Sequence, residues 1–186
     1  KAYIFVFGST STIALSIFLF VLVPRMQITE VNSESISAQT PYTDAELRGR
    51  HVYIENGCIY CHSQQVRDPV AGADKQFGWG RPSLPSDYIY DKPVQLGTSR
   101  TGPDLTNIGE RNGALDWNLK HLYNPQTTSP GSVMPAYPFL FEKRPIGKDG
   151  LTTNALVLPA GFEPPPGMEI VPKPEALQLV AYLRSL

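Results

Sequence analysis

Cys58-Ile59-Tyr60-Cys61-His62 holds both cysteines of this 186-residue chain, and its spacing decides how the rest is read. It matches the C-x-x-C-H pattern for covalent attachment of a c-type haem. In that reading each thiol adds across one vinyl group of the porphyrin as a thioether. His62 then lies under the ring and supplies a proximal nitrogen to iron. Two residues between the thiols let one short helical turn span both attachment points.

Other readings of the same five residues are open. A structural zinc needs about four Cys or His ligands, and beyond Cys58, Cys61 and His62 only His51 and His121 remain. A thioredoxin-like redox pair requires βαβ patterning, whereas the flanks read as helical and loop-rich. A plain disulfide is the blandest alternative.

Net charge of −1 and a pI near 6.3 exclude a nucleic-acid partner and a polybasic membrane surface. Hydrophobic content of 41% is lean for a domain with its own core, and a buried macrocycle would add apolar volume. Eleven of the eighteen prolines fall between Pro125 and Pro174, so that half is expected to be loop-dominated.

Ala2 to Val23 is apolar, with no charge until Arg25. About 20 such residues span a hydrocarbon core of about 30 Å. A signal peptide has a shorter apolar stretch, about 7–15 residues, ending at a small-residue cleavage site, and Phe18 to Arg25 offers none. The expectation is a retained single-pass anchor over 1–25 in the lipid bilayer, then a linker over 26–40. One charge at each end leaves orientation open. Covalent haem attachment, which occurs on the outer side of the bacterial inner membrane, places the domain in the periplasm or its equivalent. The Gly8-Ser-Thr-Ser-Thr12 cluster suits packing against another transmembrane helix, or bonding back to its own carbonyls.

Within 41–186, Thr43 and Glu46 form a capping box for a helix carrying Leu47, Val52, Tyr53 and Ile54, closed by Gly57. Ser63 to Leu96 lacks periodicity and reads as an extended loop over the haem edge. In Arg100-Thr-Gly-Pro-Asp-Leu105 the proline can present its own or the preceding carbonyl to the N–H of the proximal histidine, fixing its orientation; an ordinary Gly-Pro turn explains the same residues. Leu115 to Tyr123 is a short amphipathic helix with Leu115, Leu119, Leu122 and Tyr123 on one face. A last helix, Glu175 to Leu186, turns Leu177, Val180, Ala181 and Leu183 inward behind Pro174.

A sixth ligand must come from few residues. Met26 lies at the membrane edge, and Met168 sits in a Pro-rich run that reads as a flexible insertion. Met134 lies in Ser132-Val-Met-Pro-Ala-Tyr-Pro138, where prolines stiffen the backbone and present a weak thioether with little entropy to lose. His121 and His51 are the alternatives. His/Met ligation raises the reduction potential, fills both axial positions and favours electron relay over oxygen chemistry. Arg100, Arg111 and Trp117 are candidates for holding the haem propionates.

Taken in order, Cys58-x-x-Cys61-His62-Ser-Gln, Arg100-Thr-Gly-Pro-Asp-Leu105 and Met134-Pro-Ala-Tyr-Pro138 resemble the mono-haem, membrane-anchored cytochrome c subunit (subunit II) of cbb-type haem–copper oxidases. Pro41-Tyr-Thr before the helix ending Tyr53-Ile-Glu-Asn-Gly-Cys58 is similar to it too, as are Gly97-Thr-Ser-Arg100 and His121-Leu-Tyr-Asn-Pro125. The likeness is dense over residues 38 to 140. From 141 to 174 the chain is Pro-rich and departs from the family pattern, and Arg67-Asp-Pro69 differs slightly.

The resemblance implies a mainly α architecture, with one transmembrane helix and a class I cytochrome c-like domain over 41–186 carrying a Pro-rich insertion at about 141–174. It implies one covalent haem c, tethered by Cys58 and Cys61 and ligated by His62 and Met134. The partners it implies are another cytochrome c subunit or soluble donor, and a catalytic haem–copper subunit that reduces dioxygen to water. No catalysis by this chain alone is expected. The anchored cytochrome of a nitric oxide reductase, or of another membrane respiratory complex, is the alternative assembly, and a structural zinc-binding module the alternative of another class.

Overall fold

A computed structural model describes residues 2–31, 39–67 and 78–186. It separates into two units: an N-terminal helix grouped with residues 84–89, and a domain formed by the rest from residue 41 onward.

The first unit is one long apolar helix. It runs as α1 (Ala2–Ile17), a wider π-helical turn over Phe18–Leu22, and α2 (Val23–Val31). Its Ala2–Gln27 stretch of 26 residues has mean hydropathy 2.2, long and apolar enough to cross a membrane. Pro24 accounts for the wider turn. It has no N–H to offer the Phe20 carbonyl and its ring crowds that oxygen, whereas the Val23 N–H bonds the Phe18 carbonyl instead. The hydroxyl cluster turns inward on its own backbone: Ser9 donates to Phe5 O at 2.9 Å, Thr10 to Val6 O at 2.7 Å, Thr12 to Gly8 O at 2.9 Å. The helix runs on past residue 26, where a linker is expected, to Val31, because nothing after Pro24 breaks it; residues 32–38 lie outside the described residues.

In the second unit, α3 (Asp44–Glu55) begins with the capping box: Thr43 Oγ1 accepts from Glu46 N, and Glu46 Oε2 accepts from Thr43 N at 2.6 Å. It crosses α6 (Pro174–Ser185), the last helix. The crossing is close because position 49 has no side chain. A Cβ on Gly49 would sit 1.9 Å from the Gln178 carbonyl oxygen. The two backbones meet, and Tyr182 of α6 stands edge-on to Tyr53 and Tyr42, each with ring centroids 5.6 Å apart. Ala176, Leu179, Val180, Tyr182 and Leu183 form the buried face of α6, so the inward set expected from sequence is shifted. Leu177 is on the outside, because the approach at Gly49 sets which side of the helix faces in. Leu47 and Leu115 are likewise exposed.

Two short helices, α4 (Ile108–Asn112) and α5 (Leu115–Tyr123), complete the helical frame, with Ile108, Leu119 and Leu122 in the core. Pro125 ends α5 and is itself buried in the short turn Pro125–Thr127. The described part of the 63–96 segment has no strand and only one helical turn, Pro85–Tyr88. Asp68 and Pro69 lie outside the described residues. This segment is tied to the helices by hydrogen bonds: Gln64 and Gln95 exchange bonds at 2.8 and 2.9 Å, and Gln64 also donates to the Tyr182 hydroxyl. Arg50 of α3 pairs with Asp91 at 2.5 Å and donates to the Pro93 carbonyl.

The Pro-rich half is mostly loop, but the run around Met168 is no flexible insertion. Strands β1 (Phe141–Pro145) and β2 (Met168–Pro172) pair antiparallel, Phe141 opposite Pro172 and Pro145 opposite Met168. Ile170 and Val171 are buried, as are Leu156 and Leu158 of the intervening loop. The loop is drawn in at the buried Glu169 carboxylate, which accepts from Thr152 N at 2.8 Å, Thr152 Oγ1 at 3.0 Å and Arg144 Nε at 2.8 Å. The Thr152 N–H first, then Arg144, hold that carboxyl below its ordinary pKa. Proline runs conceal the pattern because alternation is legible only where side chains, not ring constraints, set the backbone.

The chain is therefore mostly helical, with one N-terminal helix able to cross a membrane followed by a small domain.

Candidate functional site

The end of α3 delivers the Cys-x-x-Cys-His stretch. Gly57, at φ 68°, reverses the chain after Asn56, and Cys58–Tyr60 forms a single tight turn. His62 N bonds Cys58 O at 2.9 Å, so both thiols and the imidazole share one compact loop. Cys58 is buried, Cys61 half-buried, and they are not joined to each other.

His62 is held on every side. Its Nδ1 donates to the Pro103 carbonyl at 2.8 Å, which settles the tautomer: a carbonyl only accepts, so the Nε2 carries the lone pair. The backbone is fixed by the Tyr53 hydroxyl, which donates to His62 O at 2.6 Å, and by Gly102 N bonding Cys61 O at 3.0 Å. Gly102 also gives the ring its room. A Cβ there would stand 2.2 Å from His62 Cε1. The Arg100–Leu105 loop is itself secured by Arg100, which pairs with Asp104 at 2.7 Å and donates to Gln65 O at 2.6 Å. Burial holds the imidazole below its ordinary pKa, against the raising effect of the Pro103 bond.

Cys58, Cys61, His62 and Met134 line a single cavity of about 500 Å³, within the size range of cofactor pockets. Leu105, Ile108, Leu122, Leu179 and Leu183 supply apolar wall. Met134 rides on a loop that follows α5. Gln126 braces that loop, donating to Ser132 O at 2.6 Å and accepting from Gly131 N at 2.8 Å. Its far end is fastened where Tyr137 N bonds Leu122 O at 2.9 Å. Met168 lies in β2 and Met26 on the N-terminal helix; His51 is exposed and pairs with Glu55 at 3.0 Å. None of these three lines the cavity.

His121 does line it. Its ring stacks on Trp117, centroids 4.7 Å apart and 9° from parallel, and its Nδ1 lies 2.6 Å from Thr128 Oγ1. Burial, then the nearby His62, push its pKa down to about 4. Burial also raises the Cys58 thiol to about 11 and the Tyr137 hydroxyl, hydrogen-bonded to it, to about 12.

The residues fit a covalently tethered haem better than a bare metal ion. The donor set around an apolar cavity is two thiols, two imidazoles, that of His62 with its lone pair on Nε2, and one thioether. Among the described residues no group of three or more His, Cys, Asp and Glu side chains gathers to hold an ion.

Residues 1–158 match the family described as "Cytochrome C oxidase, mono-heme subunit/FixO". The chain belongs to this family. The match runs on through β1 to residue 158, further than the dense resemblance to residue 140. The chain is also similar to "Cytochrome c oxidase subunit 2" of Alkalihalophilus pseudofirmus, 31% identical over 120 residues. That covers 61% of this chain but 26% of the relative, so the chain spans about a quarter of that protein's length.

The family so described is that of a mono-haem subunit of cytochrome c oxidase. Of the residues considered for the propionates, Arg111 and Trp117 line the cavity and Arg100 does not; the Arg100 guanidinium is turned to Asp104. Sequence reasoning passed over Tyr137, Asn118 and Trp79, which also line it. Tyr137 had a signal, its place in the quoted Met134–Pro138 run. Trp79 and Asn118 had none, because only the folded chain brings them near Cys58.

Proposed function

We propose that this subunit relays electrons through one haem c, bound covalently at Cys58 and Cys61, to a catalytic haem–copper subunit that reduces dioxygen to water. The observation that carries the reading is the convergence of both thiols, the His62 lone pair and the Met134 thioether on one cavity.

Each residue has a distinct part. The Cys58 and Cys61 thiols would tether the group as two thioethers, each formed by adding S–H across one vinyl C=C, which needs no oxidant. His62, oriented by the Pro103 carbonyl, would hold the group's iron through its Nε2 lone pair. Met134 would hold the group through its thioether, a ligand that favours the reduced state relative to a second imidazole. The bound group supplies one-electron redox chemistry. The protein's own work is to keep the ligand set unchanged between oxidation states and to exclude water with the leucines of the wall. Arg111 and Trp117, which line the cavity, would meet the propionates.

The N-terminal helix anchors the subunit in the bacterial inner membrane, as a segment separate from the haem domain over 41–186. The domain lies on the periplasmic side, where covalent haem attachment takes place. Its donor is another cytochrome c subunit or a soluble cytochrome.

The test is to purify the complex in mild detergent, stain its denatured chains for covalent haem, and follow gas consumption. A haem-stained band at the mass of this chain, with oxygen consumed, is expected. A colourless chain with free thiols overturns the haem reading, and consumption of nitric oxide instead of oxygen moves the subunit to a nitric oxide reductase.

A further inference from the structure

Two histidines line the cavity, and they are held in the same manner. His62 is tied at Nδ1 to Pro103 O at 2.8 Å. His121 is tied at Nδ1 to Thr128 Oγ1 at 2.6 Å, and the Thr128 hydroxyl is itself within 3.3 Å of the Pro125 carbonyl, to which it donates. In the tautomer whose Nδ1 donates to Thr128 Oγ1, with the hydroxyl hydrogen directed to Pro125 O, the lone pair of His121 lies on Nε2. The indole of Trp117 stacked on one face keeps the ring from turning away. A neutral imidazole with one nitrogen tied to an oxygen and the other presenting a lone pair is the arrangement metal-ligating histidines adopt.

The two candidate distal groups also share a short length of chain. His121 lies on α5, and the loop bearing Met134 leaves the end of that helix and is fastened back to it at Leu122. The thioether is the weaker donor and sits on the loop; the imidazole sits on the helix.

We propose that His121 is a reserve ligand to the haem iron, taking the distal position through Nε2 when the Met134 thioether is absent. This rests on the axial reading above. The exchange balances without an outside reagent. The iron–sulfur bond breaks, an iron–nitrogen bond forms, the oxidation state of iron is unchanged, and no proton leaves because Nε2 already carries the lone pair. The consequence is that loss of the thioether does not open the haem to dioxygen or carbon monoxide. The site falls instead to a lower-potential bis-histidine state.

The experiment compares Met134→Ala with Met134→Ala/His121→Ala in the haem-loaded, full-length subunit, by optical and electron paramagnetic resonance spectra with and without carbon monoxide. The single variant is expected to stay low-spin, show a bis-imidazole signature and resist carbon monoxide. The double variant is expected to turn high-spin and bind it. Met134→Ala/His121→Phe, which keeps an aromatic ring against Trp117, is expected to behave like the double alanine variant even if the latter folds poorly. A single variant that is already high-spin, or double variants that remain low-spin, overturns the proposal. The unmutated subunit separates the two readings. If it lacks the thioether-to-iron charge-transfer band, the Met134 assignment itself fails. If the band is present and Met134→Ala is high-spin, only the reserve role of His121 falls.

Discussion

The two walls that meet at the cavity are built differently. The His62 wall is over-determined: the ring is fixed at Nδ1 by Pro103, the carbonyl by Tyr53, the neighbouring backbone by Gly102, and the supporting loop by the buried Arg100–Asp104 pair. The Met134 wall is a loop braced by one glutamine side chain and a few backbone bonds, with Met134 N donating to Ser132 Oγ at 3.2 Å. An imidazole must be presented in one tautomer and one orientation. A thioether has two equivalent lone pairs on a flexible stem and tolerates a looser mount. Rigidity is thus concentrated where the ligand's chemistry is directional.

The contrast breaks most visibly at Gly102. Gly102→Ala drives a Cβ into the His62 ring, and since backbone and ring are both fixed, the cost is expected at or above the upper end of the about 1–3 kcal/mol of an overpacked site. Haem-staining yield should collapse; normal yield with an unchanged thermal midpoint would mean the ring is not pinned there.

Met134→His acts on the looser wall and should leave folding nearly intact while moving the redox chemistry. The midpoint potential is expected to fall, within the about 0.8 V range that axial ligation commands. Potentiometric titration reads this directly, and an unmoved potential would show that Met134 does not touch iron.

Tyr53→Phe removes a buried hydroxyl from the His62 carbonyl. A loss of about 1–2 kcal/mol is expected from denaturant titration, with the low-spin spectrum kept because Pro103 still orients the ring. A loss of the low-spin spectrum would assign Tyr53 a ligand-positioning role that the Pro103 bond does not cover.

Ser132→Ala is the mildest. Its hydroxyl serves one bond on a half-exposed loop, so less than about 1 kcal/mol of stability should go, with a small change in potential at most. An effect as large as that of Tyr53→Phe would erase the difference between the walls.

The reach of sequence reasoning follows the same divide. Contacts local in the chain were legible: the Thr43–Glu46 cap, the turn of Cys58–Tyr60, the stop at Pro125, the helix start at Pro174, and the apolar N-terminal helix. The Pro103 carbonyl, forty-one residues from His62, could be suspected from Gly102-Pro103 but not chosen over an ordinary turn. The β1–β2 pair was hidden because prolines at 145 and 172 mask strand alternation, and the register of α6 was missed because it depends on Gly49 in another helix.

The residues that can carry chemistry here are a property of composition: two thiols, three imidazoles and three thioethers, with Cys-x-x-Cys-His assembled by adjacency alone. Which of the remaining candidates joins them is a property of folding. Met134 and His121 reach the cavity and Met168 and His51 do not, because helix crossing and loop bracing act between residues far apart in the chain, where spacing along the sequence carries no distance information.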